Sequence, residues 1–228
     1  MSSMRTDSHR SGTCRNMELY LARHGRTVWN TELKMQGRMN SPLTDDGIKG
    51  CYELRKTIRE LGVKFEACYV SPLPRALQTA YIALSDDDGH VSCPFMVTDM
   101  LKEMDLGAWE GMYAEDCKTR WPETFDNFKH HPDKFTPIAG GETFHDTRRR
   151  AEQILAYLEE KNRTASCGPV ILITHAIIIQ SIINAVTGSP VSELRSTPFI
   201  EQAKLFKINS DYPFAKDRII MFNGSCSS

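Results

Sequence analysis

The chain has 228 residues, 40% of them hydrophobic and 25% charged, which is enough for a sizeable core and ordinary for a globular fold. A formal net charge of -1 argues against bulk attraction to nucleic acid or to an anionic membrane, so any anion site must be a local concentration of cations. No apolar run reaches membrane-spanning length, because the longest, within 170–186, is interrupted by Thr174, His175, Gln180, Ser181 and Asn184.

Residues 1–16 carry Arg5, Arg10 and Arg15 against a single acid, Asp7, a composition shared with transit peptides, but a disordered tail is the expectation. A single domain over 17–228 follows. It opens with a β-prone run, Met17 to Ala22, that stops at Arg23-His24-Gly25. After a loop over 25–43, Thr44 is placed to cap a helix with Ile48, Cys51, Leu54, Ile58 and Leu61 at helical spacing. Ala67 to Val70 reads as a second strand. Ser71-Pro72 then reads as an N-cap and first helical residue, followed by an apolar face of Leu73, Ala76, Leu77, Ala80, Tyr81 and Leu84.

The turn Asp86-Asp87-Asp88-Gly89 precedes a strand over 91–97, and 104–141 reads as an irregular, lid-like excursion rich in aromatic, His and Pro residues. A helix over 142–161, a buried strand over 170–173, a buried helix over 176–186 and strands over 203–208 and 218–222 complete the chain. Alternating strands and helices predict an α/β three-layer sandwich, with a mainly parallel central sheet and helices on both faces. An unpaired edge strand would allow a homodimer. The seven cysteines are scattered and form no C-x-x-C pair, so reduced structural thiols and a cytoplasmic location are expected, with no redox motif and no zinc site. The sequons at Asn162 and Asn223 read as chance occurrences.

Three segments share one design, in which a short apolar strand stops, polar residues follow, and a helix or loop begins. They are Leu21-Ala22-Arg23-His24-Gly25, Tyr69-Val70-Ser71-Pro72-Leu73-Pro74-Arg75 and Leu172-Ile173-Thr174-His175-Ala176. Ligands of parallel α/β sheets gather at the carboxyl ends of strands, which places Arg23, His24, Arg75 and His175 on one rim. Two arginines, two histidines and helix N-termini make an anion site, and guanidinium forks match the paired oxygens of a phosphate. A neutral His24 ring, kept unprotonated by nearby arginine charge, can attack phosphorus while Arg23, Arg75 and His175 stabilise the equatorial oxygens. Glu103 follows the third strand and is the candidate proton donor, its carboxyl expected to be partly buried beside Trp109. Asp105 and Glu110 are weaker rivals for that role.

Arg-His-Gly-Arg-Thr-Val-Trp-Asn at 23–30, Ser-Pro-Leu-Pro-Arg-Ala-Leu-Gln-Thr-Ala at 71–80, Leu-Lys-Glu-Met-Asp-Leu-Gly-Ala-Trp-Glu-Gly at 101–111, Gly-Gly-Glu-Thr at 140–143 and Thr-His-Ala at 174–176 occur in that order. Together they resemble the histidine phosphatase superfamily, also called phosphoglycerate mutase-like, from residue 17 to about 222. The resemblance implies a metal-independent phosphoryl-transfer enzyme without a cofactor, acting on small-molecule phosphate esters. It makes His24 the phosphorylated nucleophile, Arg23, Arg75 and His175 the phosphate pocket, Glu103 the acid, and Asn30, Gln36 and Gly37 substrate contacts. Ala176, where a glycine is common, would set a methyl beside the phosphate, and Arg26 stands where many members have Glu. The resemblance points to the broad-specificity phosphatase branch, since Met104-Asp105-Leu106-Gly107 replaces the Glu-Arg-His-Tyr-Gly type of the mutases and no Asn-Lys pair follows.

A phosphoglycerate mutase or sugar bisphosphatase is the alternative, and a non-catalytic phosphate-binding module is the alternative from another class. Elsewhere structural readings are preferred. Lys129, His130, His131 and Lys134 read as a solvated loop that would at most greet a second anionic group. Arg148-Arg149-Arg150 reads as a solvent face with one or two ion pairs, and Gly140-Gly141-Glu142-Thr143 as the start of a helix.

Overall fold

A computed structural model describes residues 18–164, 168–197, 200–208 and 219–222; the expected N-terminal tail lies outside them. The strands are β1 (Leu19–Arg23), β2 (Ala67–Val70), β3 (Phe95–Val97), β4 (Val170–Thr174), β5 (Leu205–Ile208) and β6 (Ile219–Phe222). They form one six-stranded sheet in the order β3-β2-β4-β1-β5-β6. The β3, β2, β4 and β1 strands are mutually parallel, while β5 and β6 are antiparallel additions. The helices are α1 (Val28–Thr31), α2 (Asp45–Leu61), α3 (Pro74–Leu84), α4 (Ala114–Arg120), α5 (Pro122–His130), α6 (Phe144–Thr164) and α7 (Ala176–Val186).

Period-two alternation divides the core between the two faces of the sheet. Tyr20, Ala22, Cys68, Val70, Ile171 and Ile173 bury against Leu54, Ile58, Ala76 and Ala80 of α2 and α3. Leu19, Leu21, Tyr69, Val170 and Leu172 bury against Ala151, Ile154, Leu158, Ile178 and Ile182 of α6 and α7. Central β4 is buried at every position, which explains its unbroken apolar run before Thr174. This is the three-layer arrangement expected from the sequence.

Several local expectations are corrected. Helix α3 starts two residues late, at Pro74, with Leu73 as N-cap rather than Ser71. Leu73 precedes a proline, which disfavours helical backbone and leaves it extended at φ -69 and ψ 132. Tyr81, assigned by periodicity to the apolar face of this helix, is half-exposed and donates to the carbonyl of Gly89. β3 is confined to 95–97 because Pro94 has no N–H to give to a ladder. β5 begins at 205 because Ala203 is left-handed, with φ 52. The loop 25–43 contains α1, and the stretch 104–141, expected to be irregular, carries α4 and α5. Those helices surround a separate aromatic cluster of Trp109, Phe128, Phe135 and Phe144.

The loop after β1 is clamped against α2. Thr44 caps that helix by accepting from the N–H of Gly47, and Gly47 sits so close to the loop that an added Cβ would lie 2.0 Å from the carbonyl oxygen of Arg26. Gly47→Ala is expected to cost about 1–3 kcal/mol through this forced backbone shift. Urea unfolding would measure it, and an unchanged midpoint would show that the clamp is loose. Among the described residues no helix is long and apolar enough to cross a membrane.

Candidate active site

The parallel strands end level with one another. Arg23 is in register with Thr174, Val70 with Ile173, and Val97 with Val70. The ladder then continues for one more bond at each end, as the N–H of His24 donates to Thr174 at 2.9 Å and that of Ser71 to Ile173 at 3.1 Å. The residues leaving β1, β2 and β4 thus emerge side by side.

The rings of His24 and His175 lie 5.1 Å apart, inclined at 55°, and both are buried. His24 Nδ1 is 2.7 Å from the carbonyl oxygen of Gly25. A carbonyl only accepts, so Nδ1 carries the proton and Nε2 keeps its lone pair. The donor loop is itself pinned, with Gly25 N–H bonded to Thr79 Oγ1 at 2.9 Å and the Thr79 hydroxyl donating to Arg75 O at 2.7 Å. An added Cβ on Gly25 would meet Cys51 Sγ at 2.7 Å and Gly47 O at 2.8 Å, so no larger residue fits between β1 and α2. On the other ring, His175 Nε2 lies 2.8 Å from Ser71 Oγ. Ser71, expected to cap α3, instead holds His175.

Arg23 and Arg75 are held from behind by carbonyls. Arg23 Nη1 donates to Ile200 O at 2.8 Å. Arg75 Nη1 donates to Met39 O at 2.8 Å, and Nη2 to Gly37 O at 2.7 Å. Gly37 is left-handed (φ 51), and its loop is tied down by Glu110, which accepts from the N–H groups of Arg38 and Met39 at 2.7 and 2.8 Å. Glu110 is therefore spent on backbone, as is Asp105, which accepts from Gly107 N–H at 3.0 Å and pairs with Arg38. Gln36 is buried, its Oε1 accepting from the Thr27 hydroxyl at 3.3 Å. Asn30 caps α1 by accepting from Thr27 N–H and lines a cavity of about 720 Å³ with Arg26, Asp46, Glu201, Gln202 and Lys204. That cavity adjoins the rim, since Gln202 forms a β-bridge with Arg23.

Glu103 is nearly buried, and its carboxylate accepts from the N–H of Met104 at 2.8 Å and of Ile177 at 3.3 Å, which ties it to the first turn of α7 beside His175 and Ala176. Its charge supports protonated Arg23 and Arg75, both of which burial pulls below the usual arginine range, Arg75 to about 10. Burial first, then the charges of Arg23 and Arg75, push His24 well below the ordinary histidine value. Burial, then Arg75, His24 and Arg23, do the same to His175. Trp109 lies in the aromatic cluster, 5.4–5.8 Å from the rings of Phe125, Phe128 and Phe135.

Six buried side-chain nitrogens among the described residues have no protein acceptor, and four belong to residues of this rim: Arg23 Nε, Gln36 Nε2, Arg75 Nε and His175 Nδ1. Buried donors are ordinarily paired, so their concentration here marks a place built to receive acceptor oxygens. The depressed histidines also have a stability consequence. The unfolded chain protonates both rings near pH 6.5 while the folded chain keeps them neutral. The stability from this source is complete above about pH 6.5 and is lost as pH falls, by up to about 2.7 kcal/mol per pH unit for the two rings. Urea midpoints compared between pH 7 and pH 5 read this directly; a flat profile would contradict neutral burial.

Arg195 was not singled out by the sequence, and Arg150 was assigned no part in the site. Arg150, expected on a solvent face, turns inward. Its Nε and Nη2 bond both oxygens of Glu142 at 2.9 and 2.8 Å, and it donates to the carbonyls of Met100, Lys102 and Glu103 at 2.9, 2.7 and 3.3 Å. Arg148 pairs with Glu152 at 3.0 Å and also reaches Ser189 O at 2.9 Å, and Arg149 pairs with Asp146, so two ion pairs of the expected kind are present. The signal was available, since position 150 lies three residues after buried Thr147 and four before buried Ile154. Gly140 and Gly141, with φ 91 and 112, lead into α6 as expected.

The profile of the histidine phosphatase superfamily (branch 1) matches residues 19–212. The chain belongs to this superfamily. Among superfamily relatives, a 2,3-bisphosphoglycerate-dependent phosphoglycerate mutase of Methylobacterium sp. (strain 4-46) is 31% identical over 58% of this chain and 62% of its own length. A metal-independent phosphoserine phosphatase of Arabidopsis thaliana is 27% identical over 75% of this chain and 68% of its own. The solved structure of Bacillus stearothermophilus YhfR is similar at a TM-score of 0.78 and 31% identity, covering 87% of this chain and 93% of that one. The superfamily thus includes both phosphatases and mutases, and membership supports an enzyme.

Proposed function

We propose that the chain is a phosphomonoesterase that hydrolyses small phosphate esters through a phosphohistidine on His24. The observation that carries this reading is the set of buried, unpartnered nitrogens on Arg23, Gln36, Arg75 and His175 around a ring whose free Nε2 is unprotonated. Nε2 attacks phosphorus, the bond to the leaving oxygen breaks, and protonated Glu103 gives that oxygen its proton. Glu103 then takes a proton from water as the water oxygen attacks phosphorus, the N–P bond breaks, and inorganic phosphate leaves with His24 regenerated. Arg23, Arg75 and His175 bind the three equatorial oxygens, whose charge they offset most strongly in the transition state.

Hydrolysis rather than mutation is supported by Met104-Asp105-Leu106-Gly107 after the acid, where Asp105 is consumed in fixing the loop through Gly107 and Arg38. A mutase must retain and reorient a bisphosphate, which requires more cationic contacts at this place than the segment offers. Rapid quench with a radiolabelled phosphate ester is expected to trap label on His24, in an acid-labile, base-stable linkage. Turnover without any such adduct would refute the covalent route, and bisphosphate-dependent isomerisation of phosphoglycerate would replace hydrolysis by mutation.

A further inference from the structure

The aromatic cluster holds two cations that the reaction as described leaves unused. Arg195 stacks on Phe128 and Phe144, with its Cζ 4.5 and 4.9 Å from the ring centres. The Lys129 ammonium lies over the same Phe128 ring at 5.8 Å and over Phe125 at 5.5 Å. Among the described residues neither cation has a carboxylate within 4.0 Å, although most of the other arginines and lysines of this region do. Arg195 is held in place by neutral acceptors, Phe128 O at 3.1 Å and Gln180 Oε1 at 3.0 Å.

Their position relates them to the site. Gln180 is buried one helical turn beyond Ala176 on α7, and Ile177, between them, gives its N–H to Glu103. Arg195 thus reaches α7 through Gln180 and Glu103 reaches it through the Ile177 N–H, less than one helical turn apart along the same helix. Burial foremost, and then the charge of Arg195, hold the Lys129 ammonium below the usual lysine range. We infer that Lys129 and Arg195 form a receptor for a second anionic group, a carboxylate or a phosphate, carried on the leaving-group side of the substrate. This rests on the reading of the His24 rim as the phosphate pocket and narrows its substrates to phosphate monoesters that bear a further negative charge. Cations resting on ring faces keep their charge accessible to such a group, and the Lys129 side chain is exposed to meet it.

The test compares ligands that share a three-carbon phosphate skeleton: glycerol 3-phosphate, 3-phosphoglycerate, which adds a carboxylate, and 1,3-propanediol bisphosphate, which adds a phosphate. Calorimetric binding to the full chain carrying His24→Ala prevents turnover. The doubly anionic ligands are expected to bind about tenfold or more tightly than glycerol 3-phosphate. Adding Lys129→Met should bring that preference within about twofold, while Lys129→Arg should retain it. Lys129 is chosen because Arg195 lies between rings, where its loss could unfold the cluster. The larger gain of the two arms identifies carboxylate or phosphate as the group received. Equal binding of all three ligands by the parent, or a preference that survives Lys129→Met, overturns the inference. Phosphate release from p-nitrophenyl phosphate by the unmutated chain, which has no second anion, reports separately on the His24 chemistry.

Discussion

His24→Ala is expected to lower phosphate release from p-nitrophenyl phosphate by on the order of 10⁴-fold or more, because a residual rate must come from binding and electrostatics alone. No neighbour can take over. His175 is 5.1 Å away ring to ring, but its Nε2 is engaged by Ser71 at 2.8 Å, and Glu103 is tied to two backbone N–H groups. The donors of Arg23, Arg75 and His175 are untouched by the substitution, so phosphate and vanadate should still bind. Loss of turnover with binding kept is the signature of a missing nucleophile. A variant that retained more than about a tenth of the activity would exclude attack by His24.

Arg150→Met should destabilise the fold by about 3 kcal/mol, near the lower end of the range for breaking a buried ion pair, because both partners keep a little exposure. Methionine replaces the bulk of the side chain and removes its charge. The Glu142 carboxylate is then left with the partly exposed Arg38 at 3.2 Å and the N–H of Asp105 at 3.0 Å, and the carbonyls of Met100, Lys102 and Glu103 lose their shared donor. Since those carbonyls flank the candidate acid, kcat should fall as well, even under conditions where the variant is fully folded. Arg149→Met is the control, with an exposed pair to Asp146 and an expected change within about 0.5 kcal/mol. Urea unfolding of the two variants side by side decides the matter; equal midpoints would mean that the Arg150 cluster contributes nothing beyond a surface pair.

The two substitutions also mark what could be read from the chain before its structure. The rim of Arg23, Arg75, His24 and His175 was legible because each lies just beyond a short apolar run or at the start of the helix after one, and parallel strands must end at a common level. Helix limits followed where capping chemistry was local, as at Thr44, and slipped where a second proline at 74 overruled the first. Arg150 and Arg195 escaped notice for a different reason. Arg195 bonds partners 15 and 67 residues away, which no local pattern announces, and the carbonyls that Arg150 reaches are 47–50 residues away, so only its spacing from Thr147 and Ile154 hinted at the inward turn. The helices within 104–141 were hidden by proline and aromatic residues that read as loop, although Pro122 occupies a helix's first position, where proline is tolerated.

The order of strands across the sheet carries a consequence for biosynthesis. β1 and β2 are never neighbours, because β4, which comes about a hundred residues after β2, lies between them. A nascent polypeptide that has emerged only as far as α6 therefore bears His24 and Arg75 on two ribbons separated by a missing middle. Completing the centre demands long-range closure, which slows folding and leaves apolar edges open to other molecules meanwhile. It also means that the proposed phosphate pocket is completed late and all at once, when residues 170–175 slide into the gap and bring the second imidazole with them.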